Sequence, residues 1–218
     1  MSIGAITAIV LNLLFFHTGG KQGTQVSRAV GKSVSLQQLN GASREEFVSA
    51  LRPLFNNETW PLELAWESRP FGDVNELRAA IQVAVLTADD SRRAALIHDY
   101  PAMDELLLAD ADEAATISAD RGSLGLTDLD DVQTERITEL SAAYRERFDM
   151  PFVAYLDTND TVDRVIDAGV RRLANSPEQE YRTALGEIVE IANDRFDILL
   201  ADANPVRSSW DRKFTEVD

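Results

Sequence analysis

The side chains able to do chemistry are few, and their spacing is restrictive. The chain has no cysteine and two histidines, His17 and His98. That removes a cysteine nucleophile, a thiolate metal site and a multi-histidine metal site. It also leaves no Ser-His-Asp set, because one of the two histidines lies in the N-terminal tail. There is no Gly-x-Gly-x-x-Gly and no phosphate-cradling lysine loop, so nucleotide-dependent chemistry is not supported. The acidic run Asp110-Ala111-Asp112-Glu113 lacks the alternating carboxylates and the glycine of a calcium loop, and reads as a solvated loop. His98, within Leu96-Ile97-His98-Asp99-Tyr100-Pro101, then has two readings. Either it acts in chemistry through a local shift of its helix, or it is a surface or boundary residue.

The elements that must position these groups are helical from about Leu36 onward. Ser43-Arg44-Glu45-Glu46 is a capping box, and Phe47, Leu51, Leu54 and Phe55 follow at helical spacing. Asp73 caps a helix carrying Val74, Leu77, Ile81 and Val85, and Ser91 starts another with Ala94, Ala95 and Ile97 inward. Thr127 and Asp128 precede a long helix whose apolar face is Leu129, Val132, Ile137, Leu140, Tyr144 and Phe148. Pro151 stops it, since the residue before a proline is pushed out of the helical region. Asp160 or Thr161 caps the next helix, with Val162, Val165, Ile166, Val170 and Leu173 inward. Ser176-Pro177-Glu178-Gln179 is a start signal for a last long helix burying Tyr181, Ala184, Leu185, Ile188, Ile191, Phe196 and Leu199. Only Phe152 to Leu156 looks extended. The pattern predicts an all-α fold, a single compact bundle of about seven to nine helices.

Composition sets the outer bounds. The 218 residues suit one domain with tails: an N-terminal segment and linker over 1–35, a helical domain over 36–201 and a polar tail over 202–218. The net charge is −16, from 37 acidic and 21 basic residues, which repels phosphate backbones and disfavours nucleic acid as a partner. An anionic substrate then needs basic residues close by. The lack of cysteine fits a reducing cytoplasm.

Four stretches together resemble one family: Ala142 to Val153, Arg69-Pro70-Phe71, Leu96-Ile97, and Arg172-Leu173-Ala174-Asn175. Leu39-Asn40, Phe47, Leu51, Phe55, Trp60, Glu180, Ala184, Leu185, Ile188, Ile191 and Arg195 continue the pattern in order. It is similar to the decarboxylases of 2-oxo-4-hydroxy-4-carboxy-5-ureidoimidazoline (OHCU), over roughly Leu39 to Leu199. The resemblance implies a role late in urate degradation, forming (S)-allantoin and CO2 from a small anionic purine catabolite. It also implies chemistry without a cofactor or metal, and a homodimer.

In that family a histidine in a Leu-Ile-x-x-His-Pro segment, a Glu-Gln pair in a later loop and an arginine beyond the Pro-Phe segment serve the reaction. The same positions here hold Tyr100 with Pro101 beside it, then Asp120 and Arg121, then Asp157. A one-residue slip would change the Asp120–Arg121 pairing. The resemblance makes Tyr100 and Asp120 the candidate catalytic residues, and Pro101, Arg121 and Asp157 the substrate-binding ones. Against this, Tyr100 reads equally as a core aromatic, Asp120 and Arg121 as loop charges, and Asp157 as a turn or capping residue. His98 is two residues early, about 200° around a helix, and cannot simply replace the family histidine. Arg121 could restore one positive charge; Arg69 and Arg145 are further candidates. The scaffold pattern is thus kept while the catalytic one is substituted. Two functions stay open: a decarboxylase with a variant site, or a non-catalytic binding or scaffold domain.

Ile3 to Phe16 is an almost wholly apolar run of 14 residues, short of the ~20 that span a membrane. No positive region precedes it, so a secretory signal fits poorly. It resembles the end of the last membrane helix of uracil/xanthine permeases, which implies a membrane or permease association. The alternative is an apolar helix that docks on the domain or on a partner chain.

Overall fold

Local capping decides where most helices begin. The computed structural model describes residues 34–108, 129–156 and 161–200. Among them are nine α-helices and one 3-10 turn: α1 Leu36–Gly41, α2 Arg44–Leu51, the 3-10 turn Arg52–Phe55, α3 Trp60–Trp66, α4 Val74–Thr87, α5 Asp90–His98, α6 Met103–Leu108, α7 Asp131–Phe148, α8 Val162–Arg172 and α9 Pro177–Leu199. The all-α expectation holds. The described residues contain no strand, only one isolated parallel bridge between Val34 and Leu200. Expectations for Ile3–Phe16, Asp110–Glu113, Asp120, Arg121, Thr127, Asp128, Asp157 and Asp160 fall outside the described residues.

The Ser43–Glu46 capping box closes as expected: the Ser43 hydroxyl accepts from the Glu46 N–H at 3.3 Å and the Glu46 carboxylate accepts from the Ser43 N–H at 2.8 Å. Asp73 caps α4 and Thr161 caps α8. Ser176 and Gln179 exchange the same pair of bonds ahead of α9. Two starts differ from expectation. Asp89, not Ser91, caps α5, because its carboxylate reaches the Arg92 N–H at 2.9 Å. Asp130, boxed with Gln133, caps α7.

The chain forms two compact units. One takes in 34–100 and 181–200. Its core is built from Leu39, Phe47, Leu51, Leu54, Phe55, Leu62, Leu77, Ile81, Leu96, Ile97, Leu185, Ile188 and Phe196. The other takes in 101–180, with Met103, Ile137, Leu140, Tyr144, Phe152, Val165 and Ile166 as its core. Val132 and Val170, expected inward, are exposed. On α8 the inward position is Gly169 instead, because a side chain there would meet Leu140 and Phe152. Phe152 to Leu156 forms neither helix nor strand.

Candidate active site

The Tyr100 segment is set by how α5 ends. The helix keeps its hydrogen bonding to its last turn, where the Asp99 N–H donates to the Ala95 carbonyl at 2.9 Å. The Tyr100 N–H donates to the Ile97 carbonyl at 3.2 Å. His98, the last residue of α5, is exposed, while Tyr100, in the turn just past the helix end, is buried and only 5% exposed. No local shift brings His98 in, so its boundary reading is the one this structure supports. Pro101 is half-buried and is followed by buried Ala102 and Met103.

The two arginines considered as substitutes for the family cation are already engaged. Arg69 Nη1 donates to the carbonyls of Leu39, Asn40 and Ala42 at 3.3, 3.1 and 2.6 Å, and its Nε donates to Trp66 O at 3.1 Å. Its guanidinium also lies 4.2 Å from the centre of the Trp66 ring. These carbonyls end α1, which has no basic residue of its own in the last turn. Arg69 is therefore a helix C-terminal cap rather than an anion ligand. Arg145 donates to both oxygens of Asp104 at 3.2 Å and lies 3.9 Å from Glu105.

In the unit of residues 101–180, the segment after Pro151 is anchored by Arg172. Arg172 Nη1 donates to the Val153 carbonyl at 3.0 Å, and its guanidinium sits 5.1 Å from the Phe152 ring centre. Arg172 is held in turn by Glu180, which has no exposed surface and also accepts from Asn175 Nδ2 at 2.7 Å and Tyr144 Oη at 3.2 Å. Sequence reading placed Arg172, Asn175 and Glu180 in a pattern but missed this role. The signal available was an acidic residue on the apolar side of α9, eight positions from an arginine.

Of the candidate site residues, Tyr100 and Pro101 are described; Asp120, Arg121 and Asp157 are not. Among the described residues no group of three or more His, Asp or Glu side chains could hold a metal ion.

The OHCU decarboxylase family model matches residues 40–197. The chain belongs to the OHCU decarboxylase family. It is 37% identical over 164 residues to the 2-oxo-4-hydroxy-4-carboxy-5-ureidoimidazoline decarboxylase of Haloferax volcanii, covering 74% of this chain and 94% of that one. It is 32% identical to the Mus musculus decarboxylase of the same name, covering 80% of this chain and 98% of the relative. A crystal structure of (S)-allantoin synthase superposes with a TM-score of 0.60 at 22% identity. That match covers 77% of this chain and 55% of the solved one, and it supports the fold alone. The family match leaves out Ile3–Phe16, and no helix among the described residues is long and apolar enough to cross a membrane.

Proposed function

We propose that the chain is a cofactor-free carboxy-lyase of urate degradation that converts OHCU to (S)-allantoin and CO2. The observation that carries this reading is the 37% identity to a decarboxylase of that name along 94% of the relative's length. In the reaction the bond from the ring carbon to the carboxylate breaks, and its electron pair passes to the ring. A proton delivered to one face of that carbon then sets the handedness of the product.

Tyr100 is the proposed hydrogen-bond donor beside the reacting carbon. A phenol carries an O–H and is a weak acid, so it serves as donor rather than base. Its burial suits this, since a donor kept from water stabilises developing charge more strongly. Asp120 supplies the carboxylate, one methylene shorter than the family glutamate. Arg121 supplies the cation that an anionic substrate needs on a surface of net charge −16. Pro101 and Asp157 complete the proposed substrate contacts. The proposed catalytic domain is 36–201. A homodimer, and a membrane contact through Ile3–Phe16, belong to the same reading. Sedimentation with and without residues 1–35 tests the second, and equal solubility of both forms would exclude it.

One observation favours a second reading, a non-catalytic binding domain: Arg69 and Arg145 are both spent on structural partners. Generating the unstable substrate in situ from urate separates the two. The proposed lyase speeds its loss and yields one allantoin enantiomer. Decay at the spontaneous rate to racemic product would leave the binding reading.

A further inference from the structure

Tyr100 follows a residue whose carboxylate is held by a loop of the same unit, distant in sequence. Asp99 Oδ2 accepts the backbone N–H of Asn57 at 3.2 Å, and Asp99 Oδ1 accepts Asn57 Nδ2 at 3.2 Å. The two residues are 42 positions apart, so this pair fixes the end of α5 against the loop between the 3-10 turn and α3. The loop itself is held in a costly shape. Asn56 has φ +41°, a region that side-chain-bearing residues rarely adopt. Arg195 of α9 stabilises it: Nη1 donates to the carbonyls of Pro53 and Leu54 at 3.2 and 3.4 Å and to Asn56 Oδ1 at 3.1 Å. A continuous set of bonds thus runs from α9 through the loop to the residue next to Tyr100.

We infer that Asn57 and Asp99 are a positioning pair that fixes where Tyr100 presents its phenol during the decarboxylation; this rests on the function proposed above. Stability alone explains the pair poorly. Asn57 is exposed and Asp99 half-exposed, so water competes for both bonds. Bonds to a carboxylate contribute about 1.5–3 kcal/mol to folding, and less where water competes. The same geometry also matters to a reaction, where a displacement of about 1 Å can cost ~10²-fold in rate. A two-point clamp one residue from the reacting group suits the second purpose.

A charge swap tests it. Asn57→Asp sets two carboxylates against each other, and the double change Asn57→Asp/Asp99→Asn restores one amide and one carboxylate. The pair predicts that Asn57→Asp lowers kcat about tenfold with KM within about twofold and a melting temperature lower by only a few degrees, and that the swap recovers kcat to within about threefold of native. Asn57→Ala, which keeps the backbone bond to Asp99, should fall between the two and gives the same reading if Asn57→Asp does not fold. Full kcat in Asn57→Asp or Asn57→Ala would overturn the inference. So would a folded Asn57→Asp that the swap fails to rescue. An inactive native chain would remove the proposed function and this inference together, whereas an active native chain with indifferent variants would remove only the inference.

Discussion

The Arg172 guanidinium meets the Glu180 carboxylate side-on, with Nε and Nη2 donating to the same Oε1 at 2.9 and 2.6 Å. Glu180 is fully buried and Arg172 nearly so. A buried ion pair adds little over an apolar pair of the same size, yet removing one member strands the other, at about 3–5 kcal/mol. Glu180→Ala is expected to cost that much, because Arg172, Asn175 and Tyr144 all donate to this carboxylate. Urea unfolding measures it. The double change Arg172→Met/Glu180→Gln should lose less than the sum of the two single changes, since no charge is then left buried.

At Gly169 two effects oppose each other. Alanine normally favours a helix interior over glycine by about 1 kcal/mol. A Cβ there, however, would stand 2.5 Å from Leu140 Cδ2 and 2.8 Å from Phe152 Cζ, both in the core. Overpacking of this kind costs about 1–3 kcal/mol, so the clash should win. Gly169→Ala is expected to lower the urea midpoint. The open Gly186, with nothing within 4 Å of its Cβ position, should become more stable as alanine.

The N-terminal box of α2 carries a pH signature. Hydrogen bonds from the Ser43 backbone N–H, and then from its hydroxyl, hold the Glu46 carboxyl below its ordinary value. A carboxyl whose folded pKa is depressed adds stability above its unfolded pKa and loses it as pH falls through the folded value. Native protein and Glu46→Gln should therefore differ in stability at neutral pH and converge as acid is added below about pH 4.5. Parallel curves throughout would contradict this.

These cases show what was readable in advance. The capping residues Ser43, Asp73 and Ser176 announce helix starts by local hydrogen bonding, which needs no tertiary knowledge. Asp89 and Asp130 were harder, since several neighbouring residues can cap and only the chain's course selects one. Periodicity favoured Val170 over Gly169, because it rewards apolar side chains and cannot see Leu140 and Phe152 pressing on a backbone. That Tyr100 is buried and His98 exposed came from the structure, but that His98 cannot simply take the place of Tyr100 followed from helical spacing. The Asn57–Asp99 pair and the spent state of Arg69 did not, because both join residues about 30 to 40 apart.

Charge gives a further expectation. The chain carries 18 arginines and three lysines, and no lysine between residues 34 and 200. Among the described residues most ion pairs are solvent-exposed, such as Arg44–Glu63 and Arg136–Asp163. Such pairs are worth about 0–1 kcal/mol each and weaken in salt. Self-repulsion from a net charge of −16 also weakens in salt, and it acts across the whole molecule. The repulsion should dominate, so melting temperature is expected to rise as sodium chloride goes from about 0.05 to about 1 M, over which the screening length falls severalfold. A fall would mean that the ion pairs outweigh the net charge.

Tyr100 is the proposed hydrogen-bond donor on which the chemistry turns. The most direct measurement follows substrate loss and allantoin handedness for native protein and for Tyr100→Phe, with folding checked by melting. Native protein is expected to show clear acceleration and a single enantiomer, Tyr100→Phe a loss of at least tenfold, and Tyr100→His a smaller loss. Equal rates for native and a folded Tyr100→Phe would contradict that role.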